Sequence, residues 1–176
     1  MTIRPATLAD VPAIHGIVNG HAERGVMLFK SWPQLYEQVR DFLVAVGGDD
    51  GQVVGCSALA VLWRDLAEIR SLAVRESAIG RGVGRALVEA TLDEARRLGI
   101  RRVMSLTYED AFFAKLGFRV VEKGELPMKV WSDCARCPKR HACDEIAMVH
   151  ELTDVTVPPG PADAPTPAGV SMPVLR

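Results

Sequence analysis

Apolar residues in the first half of the chain recur at spacings that predict strands and helices in turn. Ile14 and Val18 lie four positions apart, which is typical of the buried face of a helix, and Leu35 and Val39 repeat that spacing. Apolar runs bounded by glycine and aspartate are typical of strands instead. These patterns predict strands over residues 2–5, 42–46, 52–63 and 68–74, and helices over residues 8–20 and from Ser31 through Val39 toward Phe42.

The second half of the chain has a stronger helical pattern, followed by shorter elements. Val83, Leu87 and Leu92 mark the apolar face of a helix that Gly99 closes. Helices would then cover both faces of a central mixed β-sheet, which predicts the α/β (α+β) class. The remaining predicted elements are a buried strand over residues 102–107, a short helix over residues 109–115, and strands over residues 118–122 and 145–152.

The composition predicts one folded domain followed by a tail. Of the 176 residues, 48% are hydrophobic and 24% are charged, which is enough apolar surface for a core. Residues 1–152 contain no internal repeat and no shift in composition, so we expect a single domain there. Residues 153–176 hold six of the eleven prolines and no aromatic residue, so we expect a disordered C-terminal tail.

The charge balance argues against partners that need a strongly basic protein. A net charge of -1 provides no field to attract nucleic acid or an anionic membrane. No apolar run reaches the ~20 residues that cross a bilayer, and the first ten residues lack the apolar stretch of a secretion signal. These observations predict a cytoplasmic protein.

Three of the four cysteines lie close together in sequence. Cys134, Cys137 and Cys143, with His141 between them, have ligand types and spacings that a tetrahedral zinc ion accepts. A second Cys-x-x-Cys pair is missing, so reduced thiols or a disulfide formed on oxidation are the alternatives, and we do not predict a metal site. Cys56 lies on an apolar strand, where it is interpreted as a small buried hydrophobic residue.

A glycine-rich loop precedes the strong helix of the second half. Gly80, Gly82 and Gly84 alternate at its start, where the backbone can approach a ligand closely and unpaired N–H groups face it. A pyrophosphate suits such a site, although the spacing matches neither the dinucleotide-binding pattern nor the P-loop. Taken alone, the loop could also be a flexible turn.

Three segments in order carry a family resemblance. EIRSLAV (68–74), GRGVGRAL (80–87) and AFFAKLGF (111–118) resemble the acyl-CoA-binding core of the GNAT acetyltransferases. The segments LYEQVRDFLV, VVGCSALAVLW, LTYEDAFF and ELPMKVWSDCARCP extend the similarity to short bacterial N-acetylglutamate synthases. The resemblance covers nearly all of residues 1–152, and it implies a GNAT-like sheet flanked by helices and acetyl-CoA as cosubstrate.

The resemblance also implies how the cosubstrate is held. The pantetheine arm would pair with the backbone of Leu72, Ala73 and Val74 as a further strand does. Where the family usually carries Gln or Arg, this chain has Ile79, and Arg81 or Arg85 would supply the cation; outside the motif, both arginines would be solvated surface charges. The pyrophosphate would be cradled by the N–H groups of Gly80, Arg81, Gly82, Val83, Gly84 and Arg85.

Two residues are implied to act in catalysis. Glu68 stands where many GNAT enzymes carry a general-base glutamate; the alternative is a strand-edge charge paired with Arg64 or Arg70. Thr107 matches a hydroxyl position of the synthases and would position the amine or a water; the alternative is a helix cap. Phe113 replaces the tyrosine that often protonates the leaving thiolate, which can leave without such help.

The similarity to the synthases implies glutamate or glutamine as the acceptor. Lys30 stands where an arginine is common in the synthases, and Arg70 and Lys129 are further candidates for binding substrate carboxylates. We expect N-acetylglutamate, the first intermediate of arginine biosynthesis, to be the product, formed by direct transfer in a ternary complex. The alternatives are another small amine, a protein N-terminus, or a silent acyl-CoA-binding regulator; a homodimer is possible.

Overall fold

The strands and helices lie close to where the sequence pattern predicts them. The computed structural model describes residues 1–47, 51–126 and 142–157. The strands are β1 Thr2–Pro5, β2 Phe42–Gly47, β3 Gln52–Trp63, β4 Leu66–Val74, β5 Arg102–Thr107, β6 Arg119–Val120 and β7 Ile146–Glu151. The helices are α1 Val11–Glu23, α2 Trp32–Glu37, α3 Val83–Arg97 and α4 Asp110–Ala114.

Helix α2 is shorter than predicted. Ser31 caps it as expected, because its side chain accepts a hydrogen bond from the Gln34 N–H. The helix ends at Glu37, and Val39–Asp41 form a separate 3₁₀ turn. The prediction that the helix continues through Val39 was wrong, whereas Phe42 begins strand β2 as predicted and is buried in the sheet.

The seven strands form one mixed sheet in the order β1-β2-β3-β4-β5-β7-β6. Strands β4 and β5 are parallel, and helix α3 connects them; the other neighbouring pairs are antiparallel. This confirms the predicted class, a central mixed sheet with helices on its faces.

The two faces of the sheet are covered by different helices. Phe42 and Val44 of β2 pack in one apolar cluster with α1 and α2. Leu43 and Ala45 alternate with them and pack against Val83 and Leu87 of α3 instead. The core is therefore two layers separated by the sheet. In the described part of the chain, none of the helices combines the length and hydropathy that crossing a bilayer requires.

The first residues of the predicted tail contact the domain. Asp154 forms an ion pair with Arg96 of α3, with 3.2 Å between Oδ2 and Nε. Val155 packs, partly buried, against the apolar cluster that contains Leu152. Ordered packing thus continues a few residues past Leu152, and residues 158–176 lie outside the described residues.

An ion pair fastens β1 to the start of α1. The Arg4 guanidinium donates to both oxygens of Asp10, at 2.7 and 2.8 Å, and the N–H and hydroxyl of Thr7 donate to Asp10 Oδ2. Only 6% of Asp10 is exposed. The Arg4 hydrogen bonds are the main cause that lowers the pKa of this carboxyl well below its ordinary value.

We therefore expect Asp10→Asn to reduce the free energy of unfolding by about 2 kcal/mol at pH 7. Since the pKa of Asp10 is lower in the folded protein than in the unfolded chain, the stabilisation is complete above the unfolded value near pH 4 and is lost as the pH falls further. Urea unfolding of both proteins at several pH values tests this. A difference that stays constant from pH 7 to pH 2 would contradict it.

Candidate active site

The candidate site lies where two parallel strands separate. Strands β4 and β5 pair only from Leu66–Arg102 to Glu68–Met104. Beyond Glu68, β4 continues to Val74, while β5 ends at Thr107. One edge of β4 therefore has no neighbouring strand among the described residues, and its backbone groups face the opening.

A bulge turns the backbone of β4 at this opening. Ser71 has φ +53°, in the left-handed region, and the register with β3 shifts between Cys56 and Ala58. Such a bulge re-aims the residues that follow it. Cys56 is fully buried beneath the bulge, where its Sγ lies 3.6 Å from the Ser71 carbonyl, and burial raises the pKa of its thiol to about 12.

At the far end of β4, the Val74 carbonyl faces the open edge. The Arg75 N–H donates to the Val54 carbonyl of β3 at 2.8 Å, and the Val74 carbonyl of the same planar peptide unit points the opposite way. His21 of α1 reaches that carbonyl with Nε2 at 2.9 Å, and Arg24 donates to its Nδ1. Since arginine only donates, Nε2 carries the proton and donates to Val74.

The glycine loop has the backbone geometry that an anion site needs. Gly80 and Gly82 have φ of +77° and +79°, and Gly82 is the N-cap of α3. In the first turn of a helix, the N–H groups have no intrahelical acceptor, so those of Val83, Gly84 and Arg85 are directed outward at the positive end of the helix. The loop thus has donors suited to a pyrophosphate.

The open edge, the glycine loop and the acceptor residues line one cavity of about 1150 Å³. Ala73 is buried toward α1 and Arg81 is exposed; neither side chain lines the cavity. Lys129 lies outside the described residues. The predicted site residues that do line the cavity are Lys30, Glu68, Arg70, Leu72, Val74, Gly80, Gly82, Val83, Gly84, Arg85 and Thr107.

Glu68 is buried at the point where the strands separate. It is 3% exposed, and its Oε2 lies 3.7 Å from Nε of Arg70. The ion pair with Arg70 considered from the sequence is therefore present, and it coexists with a position on the cavity wall. A carboxylate here is close to the open edge of β4 and shielded from bulk water.

Lys30 is buried as well, at 5% exposure. Its ammonium donates to Oε1 of Gln38 at 3.1 Å. Its main chain is held by Asn19, which donates to the Lys30 carbonyl and accepts from the Lys30 N–H, both at 2.9 Å. Neither Asn19 nor Gln38 was predicted as a partner of Lys30; the signal in the sequence was a polar Asn19 on the apolar face of α1.

Asp41 adds a second carboxyl near the two cations. Desolvation raises the pKa of this carboxyl although its side chain remains accessible, and the charges of Arg70 and Lys30 act in the opposite direction. The carboxyl of Asp41 thus lies within electrostatic range of both cations.

Thr107 is the last residue of β5, and Phe113 lies in α4; both border the opening beside β4. Thr107 Oγ1 accepts from the Glu109 N–H at 2.8 Å in the turn before α4, and Thr107 also lines the cavity. The N-cap of α4 is Glu109, so the alternative of Thr107 as a helix cap was wrong. Phe113 is 3% exposed and packs edge-on against Phe112 and Phe118. It is part of the core and carries no proton to donate. Tyr108, which also lines the cavity, donates to Asp144 at 2.8 Å.

The cysteine cluster is only partly described. Cys134, Cys137 and His141 lie outside the described residues, whereas Cys143 lines the cavity with its Sγ 3.8 Å from Glu145. Within the described ranges, no three potential metal ligands come together.

A model of the acetyltransferase (GNAT) family matches residues 19–118, which contain both β4 and the glycine loop. The chain belongs to the GNAT acetyltransferase family. This GNAT acetyltransferase is 47% identical over 150 residues to an uncharacterized N-acetyltransferase of Chlorobaculum tepidum, with 85% of this chain and 96% of that one covered. It is 43% identical over 135 residues to the amino-acid acetyltransferase of Mycobacterium tuberculosis, with 76% and 77% covered.

Solved structures of similar proteins contain CoA. A Mycobacterium tuberculosis protein in complex with CoA has a TM-score of 0.76 and 36% identity, with 86% of this chain and 99% of that chain covered. The N-acetylglutamate synthase of Neisseria gonorrhoeae, complexed with coenzyme A and N-acetyl-glutamate, also has a TM-score of 0.76, at 29% identity, with 86% of this chain and 35% of that chain covered. This GNAT acetyltransferase is an acyltransferase with acetyl-CoA as cosubstrate.

The left-handed backbone at Gly82 leads to a prediction for the loop. In Gly82→Ala, the added methyl group has room, since no other atom lies within 4 Å of its position. The positive φ nevertheless strains any L residue by about 1 kcal/mol. We expect a corresponding loss of stability and weaker CoA binding, because relief of the strain moves the loop N–H groups. Thermal unfolding and CoA titration test this.

Gly16→Ala is the matched control, because Gly16 lies inside α1 with free space and no positive φ. It should stabilise the protein by about 0.5–1 kcal/mol. Equal CoA affinity in the Gly82→Ala variant and the wild type would contradict a phosphate-binding loop.

Proposed function

We propose that this GNAT acetyltransferase transfers an acetyl group from acetyl-CoA to the α-amino group of L-glutamate, which gives N-acetylglutamate. The observation that carries the proposal is a buried lysine, Lys30, on the wall of the same cavity as the Glu68–Arg70 pair. An ammonium on the wall of a cavity favours a ligand that brings a carboxylate to it, and an acidic amino acid provides one. The relatives named amino-acid acetyltransferase support the same substrate class.

The open edge of β4 and the glycine loop fit an acyl-CoA. The backbone of Leu72 and the N–H of Val74 supply the pairing groups, while the Val74 carbonyl accepts from His21. The first N–H groups of α3 face the pyrophosphate. The N–H and C=O groups of Ala73 face β3, where Ala73 lies opposite Cys56, and not the open edge. Of Arg81 and Arg85, Arg85 lines the cavity. We therefore propose that the Arg85 guanidinium supplies the positive charge that Ile79 does not provide.

Acetyl transfer needs the neutral amine, a donor for the oxygen that gains charge, and a path for the thiol. Glu68 takes the proton from the amine, because it is the carboxylate at the separation of β4 and β5. The N–H of Leu72, just past the bulge, stabilises the developing negative charge on the thioester oxygen. Thr107 orients the amine from the end of β5. The thiolate leaves without a tyrosine, since Phe113 occupies that place.

Lys30 and Arg70 bind the acceptor carboxylates. Arg70 is already paired with Glu68, so a glutamate carboxylate would join an existing charge network rather than create one. Lys129 is proposed as a third cation on the similarity to the synthases alone. With N-acetylglutamate as product, the enzyme would open arginine biosynthesis in the cytoplasm.

An acceptor screen tests the proposed function. Release of free CoA from acetyl-CoA is measured with each amino acid, with polyamines and with N-terminal peptides. We expect the largest kcat/KM with L-glutamate, a smaller value with L-glutamine and a negligible one with polyamines. A larger value for a peptide or polyamine would overturn the amino-acid assignment, and no acceptor-dependent release would favour a regulator that only binds acyl-CoA.

A further inference from the structure

Two polar side chains hold Lys30, one at its main chain and one at its ammonium. Asn19 holds both main-chain groups of Lys30, and Gln38, one residue past the end of α2, accepts a hydrogen bond from Nζ at 3.1 Å. Asn19 is itself 5% exposed. Lys30 is therefore fixed at its backbone and again at its tip.

Fixing a lysine in this way changes how it binds an anion. A lysine side chain has many rotamers, and an unrestrained lysine loses that freedom when it pairs with a ligand. In a restrained lysine, that ordering has already taken place in the free protein, so less binding energy is lost. The hydrogen bond at the tip goes to a neutral amide oxygen, so Gln38 orients the ammonium without adding a negative charge of its own.

We propose that Gln38 is a positioning residue that sets the preference for acidic acceptors through Lys30. Its Oε1 holds the ammonium at the cavity wall in position to meet an acceptor carboxylate. This inference rests on the proposed function, in which Lys30 binds that carboxylate. A carboxylate at position 38 would orient the ammonium equally well but neutralise it, so the proposal separates orientation from charge.

Gln38→Leu and Gln38→Glu form the test pair, assayed by steady-state kinetics with glutamate, glutamine and an uncharged amine. Loss of a hydrogen bond to a charged group predicts about a tenfold increase in the KM for glutamate with Gln38→Leu. Gln38→Glu should raise that KM further, and should affect the uncharged amine least. The KM for acetyl-CoA should stay within about twofold, because the cofactor groups lie on β4 and α3.

The same Gln38→Leu change in a Lys30→Met background tests whether Gln38 acts through Lys30. In that background, we expect the change to alter the KM for glutamate by less than about twofold. An equal factor in both backgrounds would overturn the proposal, since it would mean that Gln38 acts independently of Lys30. Gln38→Asn, one methylene shorter, serves if the leucine variant does not fold.

The outcomes also separate this inference from the proposed function. If Lys30→Ala raises the KM for glutamate but Gln38→Leu does not, the acceptor assignment stands and the role of Gln38 is overturned. If Lys30→Ala leaves the KM for glutamate unchanged, both are overturned.

Discussion

Glu68→Gln is expected to lower kcat by about 10²- to 10⁴-fold at neutral pH, the range typical of losing a general base. The amide has nearly the shape of the carboxylate, so the fold and the cavity should persist. Cofactor affinity should change little, because the groups proposed to hold CoA lie on the β4 backbone and at the start of α3. Steady-state kinetics over a range of pH, with CoA titration in parallel, measures both quantities.

Glu151→Gln is a matched control, since Glu151 is a carboxylate at the end of β7 that pairs with Arg119 at the surface. It should leave kcat unchanged. A Glu68→Gln enzyme with the turnover and pH–rate profile of the wild type would reduce Glu68 to the structural partner of Arg70.

Lys30→Ala is expected to raise the KM for glutamate by a factor that corresponds to about 2 to 5 kcal/mol, as when one partner of a desolvated charge pair is removed. The burial of Lys30 supports the upper part of this range. The KM for acetyl-CoA should hardly change. Lys30→Arg should keep or improve glutamate use, because a guanidinium can engage both carboxylate oxygens.

The acceptors themselves provide the control for Lys30. Glutamate should be affected more than glutamine, and an uncharged amine least. An equal effect on all three would mean that the substitution disturbs the cavity as a whole, and the electrostatic argument for glutamate would fail.

Much of the fold could be predicted because its elements carry strong periodic patterns. Strand β5 lies over the predicted residues, and α3 ends next to the predicted Gly99. The errors occur where the helical preference of a short segment competes with strand pairing in the sheet. Val39 keeps the helical spacing of Leu35, but α2 ends at Glu37, and the chain turns through Val39–Asp41 before Phe42 pairs with Ala58 in the sheet.

The places of the glycine loop and of β4 could also be predicted, because glycines between a strand and a helix form a recognisable pattern; their role in holding CoA stays a prediction. The contacts of Lys30 could not be predicted. Asn19 and Lys30 are eleven residues apart and meet across an irregular segment that has no periodicity to read. The bulge at Ser71 was equally hidden, since serine has no preference for positive φ.

The burial of Cys56 has a consequence for an enzyme that handles a thioester. A thiolate exchanges acyl groups with thioesters, so a reactive cysteine beneath the bulge of β4 could take the acetyl group in place of the amine. Cys56 is fully buried and its pKa is about 12. At pH 7, the thiol is then almost entirely protonated. The fold therefore keeps a sulfur atom 3.6 Å from the Ser71 carbonyl chemically silent and protects the enzyme from acylating itself there.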